Sequence, residues 1–133
     1  MVEHFCEPTQ STHAHGFDIR ESWQDWLVVL SVDGEVDMVT APQLGRAICE
    51  ALERSATALV IDLTDVTFLA SVGMSVLVAA QEAADAMAVR FAVVADGVVT
   101  RRPIRLLGLD AVLALHPTLD EALRVVRRQD SVD

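Results

Sequence analysis

A serine stands near the middle of the chain, where a hydrophobic run gives way to a helical pattern. Ala58–Leu63 is a nearly continuous apolar segment of strand length, and Ser71 opens the helical pattern that follows it. Serine at a helix start most often caps the helix, its hydroxyl accepting from first-turn amides such as those of Gly73 and Met74. The same hydroxyl could serve as a nucleophile. Glycine lowers the helix propensity of this first turn, and close approach of another backbone is one explanation for the presence of Gly73.

The sequence lacks the partners that a serine nucleophile needs. It contains no Walker loop and no Gly-x-Gly-x-x-Gly, Gly-x-Ser-x-Gly or His-Glu-x-x-His motif. His116 is the only histidine in the body of the chain and precedes Pro117 at the end of a predicted strand. A histidine placed there is more often a surface or capping residue than a general base. We therefore expect a protein that is not an enzyme and needs no cofactor, and we keep a small serine-dependent enzyme as a third hypothesis.

The cysteines and the remaining histidines match no metal-binding pattern. His4, Cys6, His13 and His15 lie in a polar leader at spacings that fit no zinc template. Cys49 falls inside a helical pattern, where we interpret it as a small, partly buried hydrophobic residue and not as a redox switch. The sequence thus predicts neither a metal site nor a disulfide framework.

Charge and composition restrict the classes of partner. The 133 residues include 20 acidic and 10 basic residues, every basic one an arginine, for a net charge of −10. Such a surface repels nucleic-acid phosphates and anionic lipids. The N-terminus has no signal-peptide pattern, and the most hydrophobic stretch, 72–89, is interrupted by Gln81, Glu82 and Asp85. We expect a cytoplasmic protein that binds neither nucleic acid nor membranes.

Two periodicities alternate along the chain and predict an α/β fold. We predict a flexible leader over 1–15, a single domain over 16–128 and a short tail over 129–133. The expected order is β-β-α-β-α-β-α-β-α, which gives a mixed sheet of about five strands packed with about four helices. The predicted strands are 17–23, 26–32, 58–63, 91–94 and 112–115, and the predicted helices begin near residues 40, 72, 101 and 118.

Helix ends are marked by two capping boxes and a glycine. Thr40 with Gln43 and Thr118 with Glu121 have the spacing at which a threonine hydroxyl accepts from the amide three residues later. Gly108 stands where the third helix should stop, because glycine takes the left-handed conformation without steric cost.

Three segments in this order resemble the signature of anti-sigma factor antagonists, the STAS domain family. Residues 34–41 (GEVDMVTA) are similar to the family's Gly-Glu-Leu-Asp-x-x-Thr-Ala segment. Residues 62–77 resemble the strand, Val/Leu-x-Phe tether and Ser-x-Gly helix start that surround the family's phosphorylated serine. Residues 104–110 are similar to its C-terminal Gly-Leu element. The resemblance covers residues 16–128 and implies a STAS-like fold.

The resemblance also implies partner switching. In the family, the unphosphorylated module binds an anti-sigma factor, usually a small ATP-dependent serine kinase, and so frees a sigma factor. Phosphorylation of the serine by that kinase then separates the two proteins. By position, the implied phosphate acceptor is Ser71. The implied partner-binding residues are Asp37, Thr40, Ser71, Val72, Gly73 and Met74.

Ala70 is a departure from the family pattern, which usually has Asp immediately before the serine. The missing carboxylate favours a second hypothesis, in which the same fold is a binding scaffold or ligand sensor that no kinase modifies. Ser75 is an alternative acceptor, expected to lie deeper in the helix, where its hydroxyl is harder to reach.

Overall fold

Five strands form one sheet in the order β1-β2-β3-β4-β5. The computed structural model describes residues 16–54 and 56–130. The strands are β1 (Asp18–Gln24), β2 (Leu27–Val36), β3 (Ala58–Leu69), β4 (Arg90–Val94) and β5 (Leu115–His116). The helices of this part of the chain are α1 (Ala41–Glu53), α2 (Ser71–Ala86), α3 (Arg101–Leu106) and α4 (Leu119–Asp130), and a 3-10 turn covers Leu109–Ala111. The predicted order and the mixed sheet are confirmed.

The sheet is mixed because only its first connection is a hairpin. β1 and β2 pair antiparallel through a turn at Asp25, whose φ is +57°. The pairs β2–β3, β3–β4 and β4–β5 are parallel, so each needs a crossover connection. The carboxyl ends of β2, β3 and β4 therefore point towards one edge of the sheet, which we call the carboxyl edge, although β2 and β3 extend beyond the end of β4.

Helices cover both faces of the sheet, which explains why the central strands are almost entirely apolar. On one face, α1 and α2 pack their buried side chains, such as Leu44 and Leu77, against the larger core. On the other face, Ala122 and Val126 of α4 pack against a smaller cluster from β2, β3 and β4. Among the described residues, no helix has the length and apolarity needed to cross a membrane.

Three predicted strand boundaries are wrong. β2 does not end at residue 32 but continues to Val36. β3 does not end at residue 63 but pairs with β2 as far as Leu69, although its pairing with β4 covers Ala58–Asp62. Beyond Asp62, β3 has no pairing with β4 and is partly exposed. The polar residues of this exposed part made the segment resemble a tether in the sequence. β5 begins at Leu115, because Val112 and Leu113 belong to the turn that follows the 3-10 segment. Leu113 is apolar because it is buried in the core and not because it lies in a strand.

Gly73 allows the start of α2 to lie directly on the ends of β2 and β3. A Cβ atom at this position would stand 2.5 Å from Val36 Cγ1 and 2.9 Å from Leu69 Cδ1. Val36 is fully buried and β-branched, so its side chain has little freedom to move aside. Close approach does hold the glycine here, but the approaching atoms belong to side chains and not to a backbone.

We expect Gly73→Ala to lower the free energy of unfolding by about 1–3 kcal/mol, the usual cost of overpacking a core. This loss should outweigh the gain of up to about 1 kcal/mol in helix propensity. Urea unfolding measures it. Ser75→Ala is the matched control, because Ser75 is an exposed residue of the same helix and should change stability by less than about 0.5 kcal/mol. Equal stability of the two variants would show that the Val36 side chain moves aside at little energetic cost.

Candidate functional site

Ser71 is the first residue of α2 and is exposed at the carboxyl edge. The predicted capping role is wrong, because the N-cap is Ala70, in an extended conformation (φ −78°, ψ 164°). The amides of Gly73 and Met74 donate to the Ala70 carbonyl at 2.9 and 3.2 Å. The Ala70 amide donates to Val36 O at 2.9 Å, which extends the β2–β3 ladder and fixes where the chain turns into the helix. The Ser71 hydroxyl is thus not a structural cap.

The Ser71 side chain lines a groove between α2 and the segment that follows α3. The groove has a volume of about 410 Å³. Ser75 is also exposed and lines the same groove, so the expectation that its hydroxyl is harder to reach is wrong. The lining residues are Ser71, Met74, Ser75, Val78, Ala79, Glu82, Leu107 and Leu109.

The loop between β2 and α1 is held by a hydrogen-bond network centred on Asp37 and Thr40. The Thr40 hydroxyl donates to Glu35 O at 2.6 Å and accepts from the Asp37 amide at 2.9 Å. Asp37 Oδ1 accepts from the amides of Val39 and Thr40 at 2.9 and 3.1 Å. Thr40 is 2% exposed and precedes α1 as predicted, but its hydroxyl serves this loop and not the Gln43 amide. The predicted capping bond at Thr40 is therefore wrong.

The same network lowers the pKa of Asp37. The main cause is the hydrogen bond from the Thr40 amide; partial burial opposes it, and the Val39 amide adds to the lowering. Amide donors favour the ionised carboxylate, so the loop is held most firmly when Asp37 is charged. These hydrogen bonds are thus at full strength at neutral pH, where Asp37 is ionised.

The six predicted partner-binding residues divide into accessible and supporting ones. Ser71 is exposed, whereas Asp37 and Val72 are partly exposed. Thr40, Gly73 and Met74 are buried, although Met74 contributes to a wall of the groove. The structure brings the Asp37 loop and the start of α2 together through Val36, which accepts from the Ala70 amide and packs under Gly73.

Exposed apolar side chains at the carboxyl edge were missed by the sequence reasoning. They occupy the segments at the carboxyl ends of β2, β3 and β4, and the most exposed is Met38, at 81%. Exposed apolar side chains that form a contiguous patch usually mark an interaction surface, so these residues are candidates for one. In the sequence, Met38 and Val39 form a hydrophobic pair inside the loop between β2 and α1, and such a pair fits neither helical nor strand periodicity. This pair was the signal that could have pointed to the exposed apolar side chains. The residues are Met38, Val39, Phe68, Val98, Val99, Leu106 and Leu107.

His116 lies away from the groove residues and serves the start of α4. Its Nδ1 atom is 3.2 Å from Glu121 Oε2. The Glu121 amide donates to Thr118 Oγ1 at 3.2 Å, which confirms the predicted threonine cap. Cys49 is buried in α1, as expected of a hydrophobic residue, but its sulfur is disulfide-bonded, so its interpretation as a hydrophobic residue alone is wrong. The leader, with its three histidines and Cys6, lies outside the described residues.

The lowered pKa of Asp37 predicts a pH-dependent contribution to stability. A group with a lowered folded-state pKa stabilises the fold above its unfolded pKa, about 3.9 for Asp, and loses this effect as the pH falls through the folded value. We expect Asp37→Asn to melt at a lower temperature than the wild type at pH 7, and the difference to shrink towards pH 3. Thermal unfolding across this range tests it, and a difference independent of pH would contradict it.

The helix start predicts that Ala70→Asp stabilises the protein. An aspartate at an extended N-cap position can accept from first-turn amides, and a good cap is worth about 0.5–2 kcal/mol relative to alanine. Chemical denaturation measures the gain. Ala70→Asn separates the capping bond from the added charge, since it keeps the acceptor without the carboxylate. A loss of stability in both variants would show that the site cannot accommodate a cap.

Comparison with known proteins gives a consistent family. The STAS domain model matches residues 19–122. The anti-sigma-F factor antagonist RsfB of Mycobacterium tuberculosis is 50% identical over 101 residues, which make up 76% of this chain and 82% of RsfB. An anti-sigma factor antagonist from Mycobacterium paratuberculosis has a crystal structure that matches with a TM-score of 0.76 at 47% identity, covering 84% of this chain and 94% of that one.

A more distant structure shows the same fold. The anti-sigma factor antagonist SpoIIAA in its unphosphorylated form matches with a TM-score of 0.68 at 21% identity, over 88% of this chain and 99% of SpoIIAA. Its phosphorylated Bacillus form matches with a TM-score of 0.63 at 22% identity, over 83% and 98%. The resemblance to the STAS domain family is confirmed by the match over residues 19–122, and the chain belongs to this family.

Proposed function

We propose that this protein is an anti-sigma factor antagonist that binds an anti-sigma factor of the serine-kinase type through its carboxyl edge, and that phosphorylation of Ser71 ends this binding. The observation that carries the proposal is the exposed Ser71 hydroxyl in a groove on an edge rich in exposed apolar side chains. RsfB, named an anti-sigma-F factor antagonist, supports a partner of the anti-sigma-F type. The protein acts in the cytoplasm by binding and not by catalytic turnover.

The carboxyl edge is suited to docking because it is apolar and already ordered. Met38 and Val39 project from a loop that Thr40 and Asp37 hold in place. A preformed loop loses little conformational entropy on binding, so more of the interaction energy becomes affinity. Burial of such side chains contributes about 25 cal/mol for each Å² of apolar surface removed from water.

Phosphorylation at Ser71 is compatible with the fold and incompatible with a tightly packed interface. A phosphate adds about −1.5 to −2 charges. It would stand at the N-terminus of the 16-residue α2, where the helix dipole and amides favour an anion. A partner packed around a small hydroxyl would have to accommodate or desolvate that charge, and each 1.4 kcal/mol of cost lowers affinity about tenfold. The switch would thus change binding without refolding.

The second hypothesis, an unmodified STAS scaffold or ligand sensor, is favoured by one observation. Ala70 occupies the N-cap position and brings no carboxylate beside Ser71. A kinase that requires this group would leave Ser71 unmodified, whereas docking at the carboxyl edge would persist. The two hypotheses therefore differ in covalent modification and share the same binding surface.

We expect the wild type to gain one phosphate on Ser71 when it is incubated with ATP and an anti-sigma-F factor of the kinase type. Ser71→Ala should gain none and still bind, because the hydroxyl is small and is not a cap. Ser71→Glu should bind at least about tenfold more weakly, because it places charge in the interface. Intact mass with peptide mapping follows the phosphate, and calorimetry measures the affinities.

Ser22→Glu is the matched control, because it adds the same charge at an exposed position of β1 and should leave affinity unchanged. Phosphate on Ser75 would move the switch one turn along α2. Stable binding with no added mass would support the unmodified scaffold. Undiminished affinity of Ser71→Glu would contradict an electrostatic switch.

A further inference from the structure

The segment around α3 reverses the sign of charge that dominates the chain. Residues 97–109 contain three arginines and no acidic residue, whereas the whole chain has 20 acidic and 10 basic residues. Arg102 and Arg105 are exposed. Arg101 is partly buried, and its Nη1 donates to Ala95 O at 3.0 Å, just beyond β4. In sequence, the flanking acids are Asp96 and Asp110, both exposed.

These arginines surround a hollow of about 460 Å³, which Gly97 and Leu106 complete. Leu106 is 74% exposed and lines the hollow together with the three arginines. Arginine presents an aliphatic stem and a charged head, so the walls of the hollow are largely apolar and its rim is cationic. This combination fits an apolar side chain flanked by carboxylates better than it fits a free anion.

The hollow lies beside the groove that contains Ser71. Leu106 lines the hollow, and the next residue, Leu107, lines the groove together with Ser71. Adjacent residues of the chain thus line the two depressions, and we take them as neighbouring sites for a single partner.

We propose that this basic hollow binds an acidic segment of the anti-sigma factor, with one apolar side chain of that segment seated against Leu106 and carboxylates facing Arg102 and Arg105. The inference rests on the proposed function and names the chemistry of the partner's surface. Opposite charges across an interface mainly speed association and select the partner. On an acidic chain, this basic hollow would steer such a segment towards Leu106 and place the rest of the partner over Ser71.

The test compares Arg102→Gln/Arg105→Gln with Arg124→Gln/Arg127→Gln, using an anti-sigma-F factor as the probe. Both pairs remove two positive charges from exposed positions. The control pair lies on α4, and Arg127 Nη2 donates to Gln24 Oε1 at the hairpin, opposite the carboxyl edge. In low salt we expect the Arg102/Arg105 pair to lower affinity about tenfold, mainly through slower association. Its affinity should also depend less on salt than that of the wild type, and the control should change less than about twofold.

Equal effects of the two pairs would overturn the inference, because only net charge would matter. Unchanged affinity of Arg102→Gln/Arg105→Gln would also overturn it. If this chain forms a dimer, and the same pair of substitutions abolishes the dimer but leaves affinity for the partner intact, the hollow serves self-association instead. If Arg102→Gln/Arg105→Gln lowers affinity for the partner and Ser71→Glu does not, the proposed role of the hollow stands and the serine switch is rejected. No binding of the wild type would reject both proposals.

Discussion

The contact between the start of α2 and the ends of β2 and β3 is the constraint on which the site depends. Gly73 lies so close to Val36 and Leu69 that a β-carbon at this position would overlap both side chains. The Ala70 amide donates to Val36 O at the same place, so the backbone and the packing fix the helix start together. Because Val36 also leads into the Asp37 loop, one small junction aligns the loop, the helix and the exposed Ser71.

This junction separates the residues that build the fold from those that remain on the surface. The residues that order the carboxyl edge, Thr40 and Gly73 among them, are buried and used in the structure. The residues that remain exposed, such as Met38 and Ser71, contribute little to the core and are available to a partner. Core packing and surface exposure are thus divided between neighbouring residues, and a charge added to Ser71 would change the surface and leave the packing intact.

The element order could be predicted because periodicity reports burial. Alternating and helical patterns gave the five strands and the four helices, and Gly108 adopts the left-handed conformation expected of it, with φ +74°. Boundaries failed where burial and strand pairing diverge. The end of β3 pairs with β2 and looks polar, whereas Leu113 is buried without belonging to a strand. A local pattern does not distinguish these cases, because both depend on which distant strand lies alongside.

The sequence by itself determined the family and the mixed α/β fold, because the matching segments occur in order and the apolar runs have characteristic lengths. Only the tertiary structure decided which atoms perform each role. Ala70, and not Ser71, occupies the N-cap position of α2, and the Thr40 hydroxyl forms hydrogen bonds within the Asp37 loop. Both outcomes arise because hydrogen bonds form with the partner that the fold brings nearest. The exposed apolar edge and the basic hollow around Leu106 likewise exist only once the strands have aligned their carboxyl ends.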